Sequence, residues 1–202
     1  MELIDFILAQ YKTYPKALIF LEMTAVALGF YSVWLQKQNN RWLFPIGMLS
    51  TGIFVYILLK FNLLGDAIIN AYYFIASIYG WVFWSSGNSR LNRIQNTSNK
   101  EWYIAGTIAS ISALLVSFFY HTTDRWEYGY SIWDIVTTAI FFAAMWLLAR
   151  RRVEHWLLWI VGNSISVPLY LFKGLFFTAV QYVGFLILAI WGFYAWKKQM
   201  NK

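Results

Sequence analysis

An all-α integral membrane bundle of seven transmembrane helices, laid out as three, one and three, is the fold class this sequence predicts. Three observations predict it. Of 202 residues, 60% are hydrophobic and only 12% charged, about half the charged share of an ordinary soluble domain. Apolar runs of about 20 residues recur along the chain, each long enough to cross a hydrocarbon core of roughly 30 Å. Sliding the chain against itself until Glu22 falls on Asp134 also aligns Trp34 with Trp146, Leu63 with Leu175, Gly80 with Gly192 and Trp84 with Trp196.

Taken in order, residues 2–14 place Leu3, Phe6, Ile7 and Gln10 at helical spacing. They are too few to span, so an amphipathic helix on the membrane surface is expected. The first span runs over 17–36 and contains Glu22. The second covers 42–61, with Pro45 near its start, where proline is tolerated. The third covers 65–84, and the polar stretch at 85–101 reads as a solvated loop. A span at 102–120, rich in Ala, Ser, Ile and Leu, is a connector. The fifth span covers 130–148 and ends at Arg150, Arg151 and Arg152; the sixth, 156–170, contains Pro168; the seventh, 175–196, closes on Lys197 and Lys198.

One transmembrane domain over 1–202 therefore holds a first repeat at 17–84, the connector at 102–120 and a second repeat at 130–196. The second and sixth spans are expected to need a shift of about two residues, absorbed by short turns. A single connecting span leaves both triplets in the same orientation, a parallel repeat with its pseudo-two-fold axis along the membrane normal, as in some transporters with a midplane site.

Composition also excludes. With no cysteine and two separated histidines, disulfides, thiolate chemistry and Cys- or His-built metal sites drop out. No cofactor and no catalytic constellation is expected within the spans, so an embedded enzyme is disfavoured. A net charge of +7 points to membrane orientation, not nucleic acid, because the basic residues sit in short loops between apolar runs. Of the 16 Lys and Arg, only Lys12, Lys16, Lys60, Arg125 and Lys173 fall on one side of the seven-span layout. The positive-inside rule then puts the N-terminus outside and the C-terminus in the cytoplasm. The Asn96-Thr97-Ser98 sequon falls on the cytoplasmic side, and the opening residues lack a signal-peptide cleavage pattern.

The polar residues of the sixth span carry the functional reading. Trp156, Trp159, Asn163, Ser166 and Tyr170 follow a three-and-four spacing that stacks them on one helical face. An amide at that depth needs protein or a wet cavity beside it. Asn70, Tyr73, Ser77, Trp81 and Trp84 share a face in the third span, and Gln181, Phe185, Gly192 and Trp196 in the seventh. Such faces can be interhelical glue. Convergent amides, indoles and phenols also suit a flat heteroaromatic ligand with hydroxyls, and ring faces with an acid nearby suit a positively charged one. Glu22 and Asp134, with Trp133 beside it, either hydrogen-bond across the bundle or touch ligand. His121 and His155 are expected to be solvated at span ends, and Gly80 and Gly192 to permit close helix approach.

Together these motifs resemble the PnuC-type family of bacterial vitamin transporters. The resemblance covers all seven spans. It rests on Ile78-Tyr79-Gly80-Trp81 with Trp84, on Trp133-Asp134, and on Glu154-His155-Trp156-Leu157-Leu158-Trp159 followed by Asn163-Ser164-Ile165-Ser166. Lys173-Gly174-Leu175 and Gln181-Tyr182 complete it. It implies a bundle like a doubled sugar transporter of the SWEET type, trimeric, in the bacterial inner membrane. It also implies facilitated diffusion of nicotinamide riboside, made one-way by cytoplasmic phosphorylation, with thiamine as the runner-up and riboflavin as a further vitamin that sister groups take. Carried over by position, Asn70, Tyr73, Trp159, Asn163, Gln181 and Tyr182 would line the site. Relatives often have Gln where Asn70 stands, which shortens or re-aims that contact.

Overall fold

The structure, a computed structural model, describes residues 15–61, 64–86, 93–124, 126, 129–173 and 176–201; the segment expected to lie on the membrane surface at 2–14 falls outside them. The described residues form α1 (Lys16–Lys37), α2 (Leu43–Lys60), α3 (Leu64–Ser85), α4 (Asn99–Thr122), α5 (Ser131–Ala149), α6 (His155–Phe172) and α7 (Phe176–Met200). All seven are long and apolar enough to cross a membrane, and leucines, isoleucines and aromatics cover their outer faces, as a bundle in lipid requires. The helix α1 packs on α2 and α2 on α3; α5 packs on α6 and α6 on α7. Two further contacts, α1 on α7 and α3 on α5, join the triplets, while α4 packs chiefly on α5.

The expected two-residue shift between the second and sixth spans is not needed. The helices α2 and α6 keep the offset that relates Glu22 to Asp134 at both ends, Leu43 matching His155 and Lys60 matching Phe172, and Leu64 at the start of α3 matches Phe176 at the start of α7. The turns that precede α2 and α6 explain the strict register. In each, one residue takes a left-handed conformation, Asn39 at φ 57° and Arg151 at φ 59°. The next amide then reaches back to the helix end, Asn40 N to Leu35 O at 3.0 Å and Arg152 N to Leu147 O at 2.9 Å. Asn enters that conformation at little cost, whereas Arg is unusual there.

Glycine permits the closest contacts between helices. A methyl group on Gly80 would sit 2.2 Å from the Phe44 ring, and one on Gly192 would sit 2.4 Å from the Trp156 ring. Phe44 and Trp156 are separated by the same offset as Gly80 and Gly192, so α2 with α3 and α6 with α7 each seat a ring on a glycine at matching positions. Trp84 and Trp196 close that end of the bundle by donating to helix-end carbonyls of the other triplet, Ala149 O at 3.1 Å and Gln36 O at 2.8 Å.

The helix α4 begins three residues before the expected span because Ser98 and Glu101 form a capping box, a signature readable as Ser-x-x-Glu. The loop before it is pinned, not solvated, in its last part. Gln95 bridges to the backbone of Arg151 and Val153 at 3.2 and 3.0 Å, and Glu154 accepts from Thr97 N and Oγ1 at 2.8 and 2.6 Å. Glu101 pairs with Arg152 at 2.8 Å. The arginine triplet that ends the fifth span is thus largely interior: Arg151 and Arg152 are buried. Burial pulls the Arg151 guanidinium down to about 10, and it lies 3.8 Å from the Trp84 ring centroid.

Candidate functional site

A cavity of ≈ 250 Å³ lies between α1, α2, α3, α5, α6 and α7. It runs from mid-bundle toward the basic end, where Gln36, Leu43, Leu148 and Trp156 line it. Its ring wall is built by α5, α6 and α7. Phe141 stacks on Trp159 at 5.1 Å between centroids and lies parallel to Tyr182 at 6.2 Å. Gly162 lets this happen, since a methyl group there would fall 2.2 Å from Phe141. Tyr73 closes on Trp159 from α3 at 6.5 Å. Away from the basic end, Tyr170 stacks on Tyr182 at 5.0 Å and Phe30 on Phe185 at 4.6 Å.

The opposite wall is small and hydroxylic. Ser32 donates to Leu43 O at 2.9 Å, Ser50 to Ala25 O at 2.7 Å and Thr51 to Gly47 O at 2.9 Å. Each hydroxyl has its proton in use and lone pairs to spare. The donors on α6 are different. Trp159 Nε1 and Trp156 Nε1 are buried with no hydrogen-bond partner among the described residues. In a native interior such groups are rare, and each needs a partner that binding or water supplies.

No Asp, Glu, Lys or Arg is among the described residues that line this cavity. The acid expected beside the rings is therefore elsewhere. Asn70, Tyr73, Trp159, Asn163, Gln181 and Tyr182 all line the cavity, with Asn163 only 2% exposed. Asn70 donates to Asp66 O at 2.9 Å, which aims its amide along its own helix.

Trp81, Trp133 and Asp134 do not line it. Trp81 faces the turn before α2 at the basic end, 5.4 Å from the Trp42 ring, with the Arg41 guanidinium 5.5 Å away. Trp133 is half exposed on the outside of the bundle. Asp134 pairs with Lys173 at 2.6 Å and accepts from Tyr120 at 3.3 Å. It borders a separate cleft of ≈ 720 Å³ between α3, α4 and α5, at the end away from the basic loops. Helical periodicity assigns a residue to a face but not to a neighbour, so spacing alone does not separate these three from the residues of the wall.

His155, expected to be solvated, is fully buried. Its Nδ1 lies 2.5 Å from Arg152 O and its Nε2 lies 2.8 Å from Gln36 Nε2. A carbonyl only accepts, so Nδ1 carries the proton and Nε2 accepts from the Gln36 amide. Nothing local in the sequence links residues so far apart. His121, by contrast, stacks in the open on Trp126 at 4.6 Å.

Residues 19–198 match the nicotinamide mononucleotide transporter family. The chain belongs to this PnuC-type transporter family. It is 24% identical to the riboflavin/roseoflavin transporter RibM of Streptomyces davaonensis, over 91% of this chain and 87% of that one. It is 23% identical to the nicotinamide riboside transporter PnuC of Escherichia coli, over 80% and 77%. The crystal structure of the vitamin B3 transporter PnuC superposes with a TM-score of 0.69 at 19% identity, covering 96% of this chain and 86% of the other. The fold is thus that of a multi-pass membrane transporter of this family.

Proposed function

We propose that this chain is a passive carrier of nicotinamide riboside across the bacterial inner membrane, with cytoplasmic phosphorylation of the vitamin holding it inside. The observation that carries the reading is the uncharged, ring-walled cavity with the unpartnered Trp159 indole donor beside Asn163. Rings stack a flat heteroaromatic head and attract a positive one through their faces. The amide and indole then fix its polar edge. With no ionisable Asp, Glu, Lys or Arg among the described residues at the cavity, no such group stands ready to couple an ion to the vitamin.

The parallel three-plus-one-plus-three repeat, the N-terminus outside and a trimeric assembly belong to the same proposal. The strict register of the two triplets and the basic loops support the first two; family resemblance alone supports the trimer. A second reading, riboflavin as substrate, is favoured by the missing carboxylate and by the likeness to RibM, since a neutral tricyclic ring needs no counter-charge. Thiamine, a positively charged heteroaromatic, remains in the comparison.

Purified protein in proteoliposomes without ion gradients decides the matter. Nicotinamide riboside should equilibrate across the membrane without accumulating. Saturable riboflavin or thiamine flux with no riboside flux would replace the substrate. In a parallel set of vesicles given a proton or sodium gradient, accumulation that is lost when the gradient is dissipated would end the passive reading.

A further inference from the structure

The cavity has a second polar end that the ring wall does not use. Gln36 and Trp156 line it at the basic end, 4% and 1% exposed, with Leu43, Leu148 and Ala189 as apolar neighbours. The Gln36 amide nitrogen is committed to His155, whose own proton is held by Arg152 O. That chain of bonds fixes the orientation of the amide and turns its Oε1 away from His155. Trp196 clamps the same residue from behind by donating to Gln36 O at 2.8 Å. Gln36 therefore offers an acceptor in a set position. Trp156 offers the complement, a buried indole N–H with no partner among the described residues.

We infer that Gln36 and Trp156 form a hydroxyl-recognising subsite that receives the sugar or sugar-alcohol arm of the ligand. A hydroxyl both donates and accepts. It would donate to Gln36 Oε1 and accept from Trp156 Nε1, satisfying both groups at once. Trp156 and Trp159 are three residues apart on α6, about 4.5 Å along the helix axis. That spacing suits one ligand with a flat ring at Trp159 and Asn163 and hydroxyls one turn nearer the basic end. A five-carbon polyhydroxylated arm, cyclic in a riboside and open-chain in a ribityl-bearing flavin, is present in both, so a subsite for its hydroxyls would let one scaffold accept different rings. The inference rests on the transport reading above and narrows it to vitamins with a polyhydroxylated arm.

Calorimetry on the purified full-length protein tests it with matched probes. Nicotinamide riboside is compared with 1-methylnicotinamide, which keeps the charged ring and lacks the sugar; riboflavin is compared with lumiflavin, which lacks the ribityl chain. The wild type should prefer the hydroxylated member of the pair it binds by about tenfold or more, the range expected when buried hydrogen-bonding groups are left unpaired. Trp156→Phe and Gln36→Met should each collapse that preference while leaving the truncated probe within about twofold of wild type. The preference is a ratio within one protein, so a loss of folded fraction does not mimic it. Equal wild-type affinity for both members of a pair overturns the subsite without any variant. Variants that weaken both members by the same factor overturn it too, and return Gln36 and Trp156 to packing. If neither vitamin binds the wild type, the riboside and riboflavin readings fail and take the subsite with them, whereas binding of both members of a pair with equal affinity defeats the subsite alone.

Discussion

Asn163 puts an amide at the centre of a wall whose other members are rings, and helix α6 buries it to 2% exposure. Removing that amide separates recognition from packing. Asn163→Leu keeps roughly the side-chain volume, and an interhelical polar contact in a membrane is worth only about 1 kcal/mol. Folding should survive. Ligand affinity should fall by roughly 5- to 150-fold, the cost of leaving a ligand's polar group unpaired in a dry site. Ser117→Leu on α4, away from the cavity, should leave affinity unchanged, and calorimetry on both variants checks the pair. Unaltered affinity in well-folded Asn163→Leu would take α6 out of the recognition surface. The three-and-four spacing of Trp159 and Asn163 makes this face legible in the sequence. The Gln36–His155 bond is not legible there, because its partners belong to different helices and a histidine beside arginines reads as solvated.

Helix limits are readable to within a few residues wherever an apolar run meets a charge, as at Lys37 and Lys60. The error at the start of α4 comes from reading Ser98, Asn99, Lys100 and Glu101 as loop composition when the first and last form a cap. Glu101 does two things there. Its carboxylate accepts from Ser98 N at 3.0 Å and pairs with Arg152 at 2.8 Å, with both side chains about one-tenth exposed. Glu101→Gln keeps a capping-box acceptor and removes the charge, whereas Glu101→Ala removes both. The alanine variant should lose about 3 to 5 kcal/mol, because Arg152 is left buried without its carboxylate. The glutamine variant should fall between it and the wild type. Thermal unfolding in one detergent at one protein concentration compares them, and identical melting of all three would mean that Arg152 finds other compensation.

For the whole molecule, the contacts that join the triplets at the basic end are few and identifiable. Trp84 donates to Ala149 O, Trp196 to Gln36 O, Gln36 to His155 and Arg151 Nε to Asn39 Oδ1, with the Arg151 guanidinium over the Trp84 ring and Arg150 reaching Tyr79. If the cavity opens toward that end, the Trp84 and Trp196 bonds are among those that must part. Because the chain has no cysteine, Ala189→Cys places a single thiol on the cavity wall. Adding Trp84→Phe and Trp196→Phe should speed its modification by an impermeant maleimide from the basic side. Each neutral hydrogen bond is worth about 1 kcal/mol, so the open population should rise about fivefold per bond lost. Unchanged labelling in the double variant would show that these indoles do not hold the end shut. Trp84, Trp196, Gly80 and Gly192 recur at one offset in the sequence, and in the structure both glycines seat rings and both indoles donate to helix-end carbonyls. What the offset does not reveal is where the two halves disagree. Gly29 looks onto Ser50 in the first half, while the equivalent pair in the second is Phe141 seated on Gly162. Bulk has moved from one helix to the other. A perfectly two-fold chamber would offer any flat guest two rotation-related berths of equal energy. This one has a ring on one flank and a hydroxyl on the other, so a flat guest that turned around would exchange stacking for a hydroxyl contact, and the two orientations would differ in energy.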